Sequence, residues 1–141
     1  RDYFNLQGCG TILAPVAKQE VLGLIHQTSE CFVNDAIMTV MRGNMFFPMY
    51  INPRFMNDRR WKNLSFLMKW AKENAKTLLS TEPLYPQSWI DGGKPDFNNN
   101  NIMPREPYGY AHWADDSGLV VLRNPWISPA EYDLKIPENL D

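Results

Sequence analysis

The sequence has little that marks it for a particular chemistry. It contains only two cysteines, and its 14 basic and 16 acidic side chains leave a net charge of −2. Two well-separated cysteines fit neither a zinc-ligand pattern nor a redox CxxC motif, and so small a net charge does not favour nucleic acid or an acidic membrane. No run approaches the roughly 18 apolar residues that cross a membrane. We therefore expect no metal, no nucleic-acid partner and no membrane partner.

The motifs of the best-known enzyme classes are also missing. The sequence has no phosphate loop, GxSxG elbow, HExxH pair, EF-hand loop or dinucleotide fingerprint. Each of these holds reactive or cofactor-binding residues at a fixed spacing, so we predict no cofactor. Cys9 and Cys31 fit either two free thiols or a disulfide, which leaves the redox compartment open.

Apolar surface is what the chain does have. At 141 residues and 44% hydrophobic composition, it can form the core of about one domain. It begins at Arg1 and not at Met. Its N-terminus lacks the basic region followed by an apolar run that is typical of a signal peptide. We expect it to be a piece of a longer polypeptide.

In the first half, the pattern predicts strand, helix and strand in succession. Glu20–His26 is a short apolar run typical of a buried strand, and Met45–Ile51 is a second one that contains Pro48. Between them, Asn34 can cap a helix that Gly43 would end.

A longer helix is predicted from Asn57 to Leu79. Asn57 can accept from the first free amides, and Asp58 complements the positive end of the helix dipole. An apolar stripe follows at helical spacing: Trp61, Leu64, Leu67 or Met68, Ala71, Ala75 and Leu78. The lysines that interleave with it are interpreted as a solvated face: Lys62, Lys69, Lys72 and Lys76. Phe66 and Trp70 lie off the stripe, which suggests a helix covered on more than one side.

The second half is predicted to be β-rich. Prolines and asparagines from Ser80 to Pro107 indicate a loop, with a short extended piece at Ser88–Ile90. Tyr108–Trp113 and Leu119–Asn124 form a predicted hairpin, because Asp, Ser and Gly between them favour a tight turn. A third strand is predicted at Tyr132–Ile136.

These elements give a mixed α/β fold class with three segments. Residues 1–82 are predicted to form an α/β layer, residues 83–107 a proline- and asparagine-rich loop, and residues 108–141 an antiparallel, β-sandwich-like segment.

Two sets of polar residues are candidates for a site. His26, Glu30 and Asp35 follow the first predicted strand, where α/β proteins place active sites, and Glu30 and Asp35 are the candidate catalytic carboxylates. The alternative is that both carboxylates are solvated or capping residues and that His26 is a buried core histidine.

The second set surrounds the predicted hairpin. Aromatic faces and carboxylates bind sugars, so Trp89, Asp91 and Trp113 are candidate substrate-binding residues together with His26. The set continues with His112 and with Asp115 and Asp116 at the hairpin tip. The alternative is that the aromatics face a core and that the tip carboxylates are solvated turn residues.

Three stretches carry a family resemblance. MTVMRGNMFFPMYINPRF (residues 38–55), WKNLSFLMKWAKENAKTLL (61–79) and GYAHWADDSGLVVLRNPW (109–126) resemble the closing part of an α-galactosidase-like (β/α)8-barrel glycoside hydrolase. From residue 38 to residue 126, the resemblance spans about two thirds of the chain. The resemblance implies that the two predicted strands and their helices are the last barrel units, and that a β-domain begins at Tyr108.

The same resemblance implies a carbohydrate ligand, and it favours a secreted or periplasmic location. The main catalytic carboxylates of such enzymes lie on earlier barrel strands, so they would belong to the remainder of the polypeptide, which becomes an expected partner. His26, Glu30 and Asp35 would line the edge of the sugar site.

Two alternatives stay open beside this hypothesis. One is a non-catalytic carbohydrate- or protein-binding module that uses the aromatic-rich loop from Tyr85 to Trp113. The other is a structural domain whose exposed aromatics pack on other parts of its own protein.

Overall fold

A computed structural model describes residues 24–26, 32–43, 47–92 and 105–140, and these form a mixed α/β structure as the sequence predicts. In chain order the elements are β1 (Leu24–His26), α1 (Phe32–Met41), β2 (Met49–Ile51), α2 (Asp58–Glu73), α3 (Ala75–Leu78), β3 (Thr81–Leu84), α4 (Gln87–Gly92), β4 (Tyr108–Trp113) and β5 (Gly118–Arg123). Single 3-10 turns lie at Pro53–Phe55 and Glu138–Leu140.

The first strand–helix–strand unit forms a parallel pair. β1 and β2 run side by side with Leu24 opposite Met49, and α1 connects them. β2 is shorter than the predicted Met45–Ile51: Phe47 and Pro48 are irregular, since proline has no N–H for a ladder, and Met45 lies outside the described residues.

Helix α1 begins earlier than predicted. Asn34 lies within its first turns and does not cap it, because the helix already starts at Phe32, whose ring is 2% exposed. Burying a whole aromatic side chain contributes about 2 kcal/mol, more than a typical cap. Gly43 ends α1 as predicted, with a φ of 75° that glycine adopts readily.

The long helix follows the predicted pattern up to Asn74. The Asn57 side chain accepts from the Arg60 N–H at 2.9 Å, which is the predicted cap. Asn74 has a φ of −105° and a ψ of 16°, outside the helical range, so α2 ends there and the chain resumes as α3; its side-chain amide donates to Trp70 O at 2.8 Å. Trp70 is half-buried and packs against a core cluster, whereas Phe66 is 66% exposed, so the described residues leave the Phe66 side of the helix open.

The β-rich half contains the predicted hairpin but a different third strand. β4 and β5 pair antiparallel, with Tyr108 opposite Arg123. The third strand is β3, which pairs with β4, so the predicted loop is wrong at this point. β3 lies at the sheet edge in the strand order β3-β4-β5, where Pro83 is tolerated.

Two further predictions in this half are wrong. Tyr132–Ile136 forms no strand, and Ser88–Ile90 is helical within α4 instead of extended. Residues 124–140 form an irregular segment, here called the strap. It is fastened by the Tyr132 hydroxyl, which donates to Tyr85 O at 3.0 Å, and by the Asn139 amide, which donates to Asp115 O at 3.3 Å.

One core cluster contacts both halves. Val40, Met41, Ala71 and Leu78 form its centre, and Leu119 and Val121 of β5 pack against it. The pairing of β3 with β4 also joins residues on the two sides of the predicted loop. The division into residues 1–82, 83–107 and 108–141 stays a prediction.

Candidate functional site

A cleft with a mixed polar and apolar lining lies between the start of α4 and the strap. Its volume is about 480 Å³, and it is lined by Gln87, Glu106, Pro107, Glu131, Tyr132 and Asp133. Glu131 and Asp133 are exposed on the strap, whereas Glu106 is half-buried in the segment before β4. The cleft therefore brings together three carboxylates, an amide and a phenol from three separate stretches of the chain.

The α4 wall is anchored by an apolar cluster. Trp89 is 6% exposed and packs with Met38, Tyr108 and Tyr110, while its ring centroid lies 6.3 Å from that of Tyr85. This burial fixes α4 against the sheet. As a result, the first turn of α4 holds Gln87 at the edge of the cleft.

Hydrogen bonds orient two of the cleft side chains. The Glu106 carboxylate accepts from the backbone N–H of Ser88 at 2.9 Å, which ties the segment before β4 to α4. The Gln87 amide donates to the Asp91 carboxylate at 2.9 Å, one helical turn away. Asp91 thus orients the Gln87 amide at the edge of the cleft.

Tyr132 supplies the phenol of the cleft. Its hydroxyl donates to Tyr85 O, and burial raises the pKa of this hydroxyl, with a further contribution from the Glu82 carboxylate. The hydroxyl therefore stays protonated at neutral pH, and the hydrogen bond that fastens the strap is preserved.

The chemistry of the cleft is that of hydrogen-bond recognition. Carboxylates accept hydrogen bonds, and an amide both donates and accepts.

In the described part of the chain, no group of three or more His, Cys, Asp or Glu side chains is arranged to hold a metal ion. Nor does any helix described here have the length and apolar character needed to cross a membrane.

The predicted substrate-binding residues do not converge on one place. Trp89 lies in the core behind the cleft, and Asp91 is exposed beside it. Trp113 is half-buried at the end of β4, and its indole N–H donates to Glu82 at 2.8 Å. Only the backbone of His26, within β1, is described.

The predicted catalytic carboxylates are placed only in part. Glu30 lies outside the described residues, as do Cys9 and Cys31. Asp35 is half-buried on α1 and forms an ion pair with Arg123 of β5 at 3.0 Å. This contact joins the helix to the sheet.

His112 is buried as the core alternative predicts. It is 0% exposed, its Nε2–H donates to Met41 O, and its Nδ1 lies 3.3 Å from the Thr81 hydroxyl. Burial lowers the pKa of His112, and the hydrogen bonds to the Met41 and Leu78 carbonyls offset this only in part. Asp115 and Asp116 are exposed at the hairpin tip.

Sequence reasoning missed most of the cleft. Gln87 and Glu106 fall within the loop from Tyr85 to Trp113 that the binding-module alternative used, but neither was singled out. Tyr132 and Asp133 fall in the predicted strand Tyr132–Ile136, and Glu131 directly precedes it. An irregular strap has no periodicity from which its path could be predicted.

Comparisons with known proteins add no identification. No protein-family model, no curated protein and no solved structure matches the chain.

Proposed function

We propose that the chain is a carbohydrate-binding part of a carbohydrate-active protein, and that the cleft beside the strap holds the sugar. The observation that supports this proposal is the grouping of Glu106, Glu131 and Asp133 with the Gln87 amide in about 480 Å³. This volume lies within the range of small-ligand sites, roughly 300–1,000 Å³.

Sugars match this lining because they present many hydroxyl groups. Each ionised carboxylate accepts from hydroxyls, and hydrogen bonds to charged groups contribute about 1.5–3 kcal/mol each. The Gln87 amide adds a directional partner that Asp91 orients. An anionic ligand such as a nucleic acid would be repelled by the same carboxylates.

Sugar stacking on the candidate tryptophans has less support. Trp89 is buried in the core, so its faces are occupied by protein. In the proposed site, recognition depends on carboxylates and on the amide, with Tyr132 as an aromatic wall.

The wider protein is proposed to be glycoside hydrolase-like. Support comes from the parallel pairing of β1 and β2, the arrangement from which (β/α)8 barrels are assembled. Parallel sheets occur almost only as larger, covered sheets, so further strands from the remainder of the polypeptide are proposed to flank this pair. Glu30 and Asp35 stay candidates for the edge of its sugar site.

A glycan array followed by calorimetric titration tests the cleft. We expect a neutral oligosaccharide to bind the chain, and the Glu131→Gln/Asp133→Asn variant to bind it about tenfold or more weakly, because neutral amides replace two charged acceptors. Asp116→Asn is the matched control, since it removes a carboxylate at the exposed hairpin tip.

Two outcomes contradict the proposal. One is a chain that binds no glycan at millimolar concentration, and the other is an equal loss of binding in the control variant. The glycoside hydrolase proposal has a separate test in the sequence of the full-length native polypeptide, where an absence of further βα units would rule it out.

A further inference from the structure

A second concave surface lies away from the cleft, along the end of α2 and α3. It is a groove of about 650 Å³ with mainly apolar lining residues: Phe47, Met68, Ala71, Ala75, Leu78 and Leu79. Lys69 and Lys72 line the same groove. The groove therefore combines an apolar floor with a cationic margin.

Buried core residues form part of the floor of the groove. Ala71 and Leu78 are 4% and 3% exposed and belong to the core cluster that β5 also contacts. Ala75, the first residue of α3, also lines the groove and has a small side chain. One wall is Leu79, which is 48% exposed and offers apolar surface to a partner.

The margin keeps a positive charge. Lys69 pairs with Glu73 at 3.9 Å, but both side chains are largely exposed, so the pair contributes little and leaves the lysine able to attract another anion. Lys72 and Lys76 are exposed on the same helical stretch. Three lysines against one glutamate give this surface a charge opposite to that of the cleft.

We propose that the groove binds an amphipathic helix of a partner protein, with an apolar ridge that enters the groove and acidic residues that face the lysines. Helices bind apolar grooves through side chains at i, i+3 or i+4, and i+7. The lysine margin selects an acidic helix and steers its approach. The described α1 and α2 of a second copy do not supply such a helix, because α2 carries the same lysines and α1 packs its apolar side chains in the core.

Fluorescence anisotropy with designed peptides tests this proposal. The probe is a labelled helical peptide with leucines at i, i+3, i+4 and i+7 and flanking glutamates, and its match has lysines in place of the glutamates. We expect the glutamate peptide to bind at least about tenfold more tightly than its lysine match, with a difference that shrinks as salt rises. Lys69→Glu/Lys72→Glu should reverse this preference.

Leu79→Glu is expected to weaken binding of the glutamate peptide by about tenfold or more, since it places a charge on the apolar wall. Phe66→Glu is the matched control, because Phe66 is exposed on α2 outside the groove. Circular dichroism confirms that each variant is folded.

Three results would overturn the proposal. The first is equal affinity for both peptides at low salt, and the second is an equal loss in Phe66→Glu and Leu79→Glu. The third is failure of both peptides to bind. Such a failure would have one of two causes: the chain covers the groove itself, or it self-associates through the groove. Sedimentation measurements at several concentrations, repeated with Leu79→Glu, distinguish these two causes.

Discussion

The imidazole of His112 donates to the main-chain carbonyl of Met41, which lies 71 residues earlier in the chain. This bond joins β4 to the end of α1. Thr81 completes the arrangement, because its hydroxyl lies within hydrogen-bond distance of the Arg42 and Leu78 carbonyls and of His112 Nδ1. A small buried polar network thus connects α1, α3, β3 and β4.

The first prediction concerns the pH dependence of stability. Burial lowers the pKa of His112 below its ordinary value of 6.5, so the unfolded chain takes up a proton at higher pH than the folded chain. The contribution of His112 is fully present above pH 6.5 and is lost as pH falls from 6.5 towards the lower folded pKa. Urea unfolding at a series of pH values measures this loss.

His112→Gln is the comparison for that experiment. It keeps a hydrogen-bond donor but has no titrating ring, so we expect its free energy of unfolding to vary less with pH over this range. The two proteins are otherwise identical in sequence, so contributions from the rest of the chain are expected to cancel in the difference. An identical pH dependence of the two proteins would contradict the prediction.

The second prediction concerns Gly43. A Cβ at this position would lie 1.9 Å from Leu78 O, and the φ of 75° disfavours any residue with a side chain. We expect Gly43→Ala to reduce the free energy of unfolding by about 3 kcal/mol or more, because both the turn and the contact with α3 must shift. Chemical denaturation measures the change.

Gly92→Ala is the control, because a Cβ there meets no atom of the described residues within 4 Å. We expect this change to leave stability within about 1 kcal/mol of the original, with reduced freedom of the unfolded chain acting in its favour. Similar losses in the two variants would show that the close approach of α1 to α3 is wrong.

The third prediction separates a core role of Trp89 from a sugar-stacking role. Trp89→Ala is expected to destabilise the protein by about 3–5 kcal/mol, since it leaves a cavity beside Tyr108 and Tyr110. Ile90→Ala, which truncates the adjacent exposed side chain, should change stability by less than about 1 kcal/mol. A Trp89→Ala protein of unchanged stability that no longer binds sugar would favour the stacking role.

Short-range sequence patterns predicted the helix ends and the turn that depend on neighbouring residues. The Asn57 cap, the end of α1 at Gly43 and the hairpin of β4 and β5 depend on residues close together in sequence. The start of α1 at Phe32 and the pairing of β3 depend on burial against distant segments. Pro83 favoured a loop, and only its position at a sheet edge makes a strand acceptable there.

The candidate site was less predictable for the same reason. Tyr132 lines the cleft because its hydroxyl reaches Tyr85 O, 47 residues earlier, and no spacing rule encodes such a contact. For Trp89 and Trp113, residue type alone suggests a sugar-binding role. Their surroundings, which determine whether a ring faces solvent or core, depend on the whole fold.

The ion pair of Asp35 with Arg123 has a consequence for how the chain reaches its structure. The two residues are separated by 88 positions, so this contact forms only after a long loop has closed. The turn between β4 and β5 closes a short loop, and α2 needs only local bonds. We expect hairpin and helix to form first and the docking of α1 on β5 to limit the folding rate, since distant contacts slow folding.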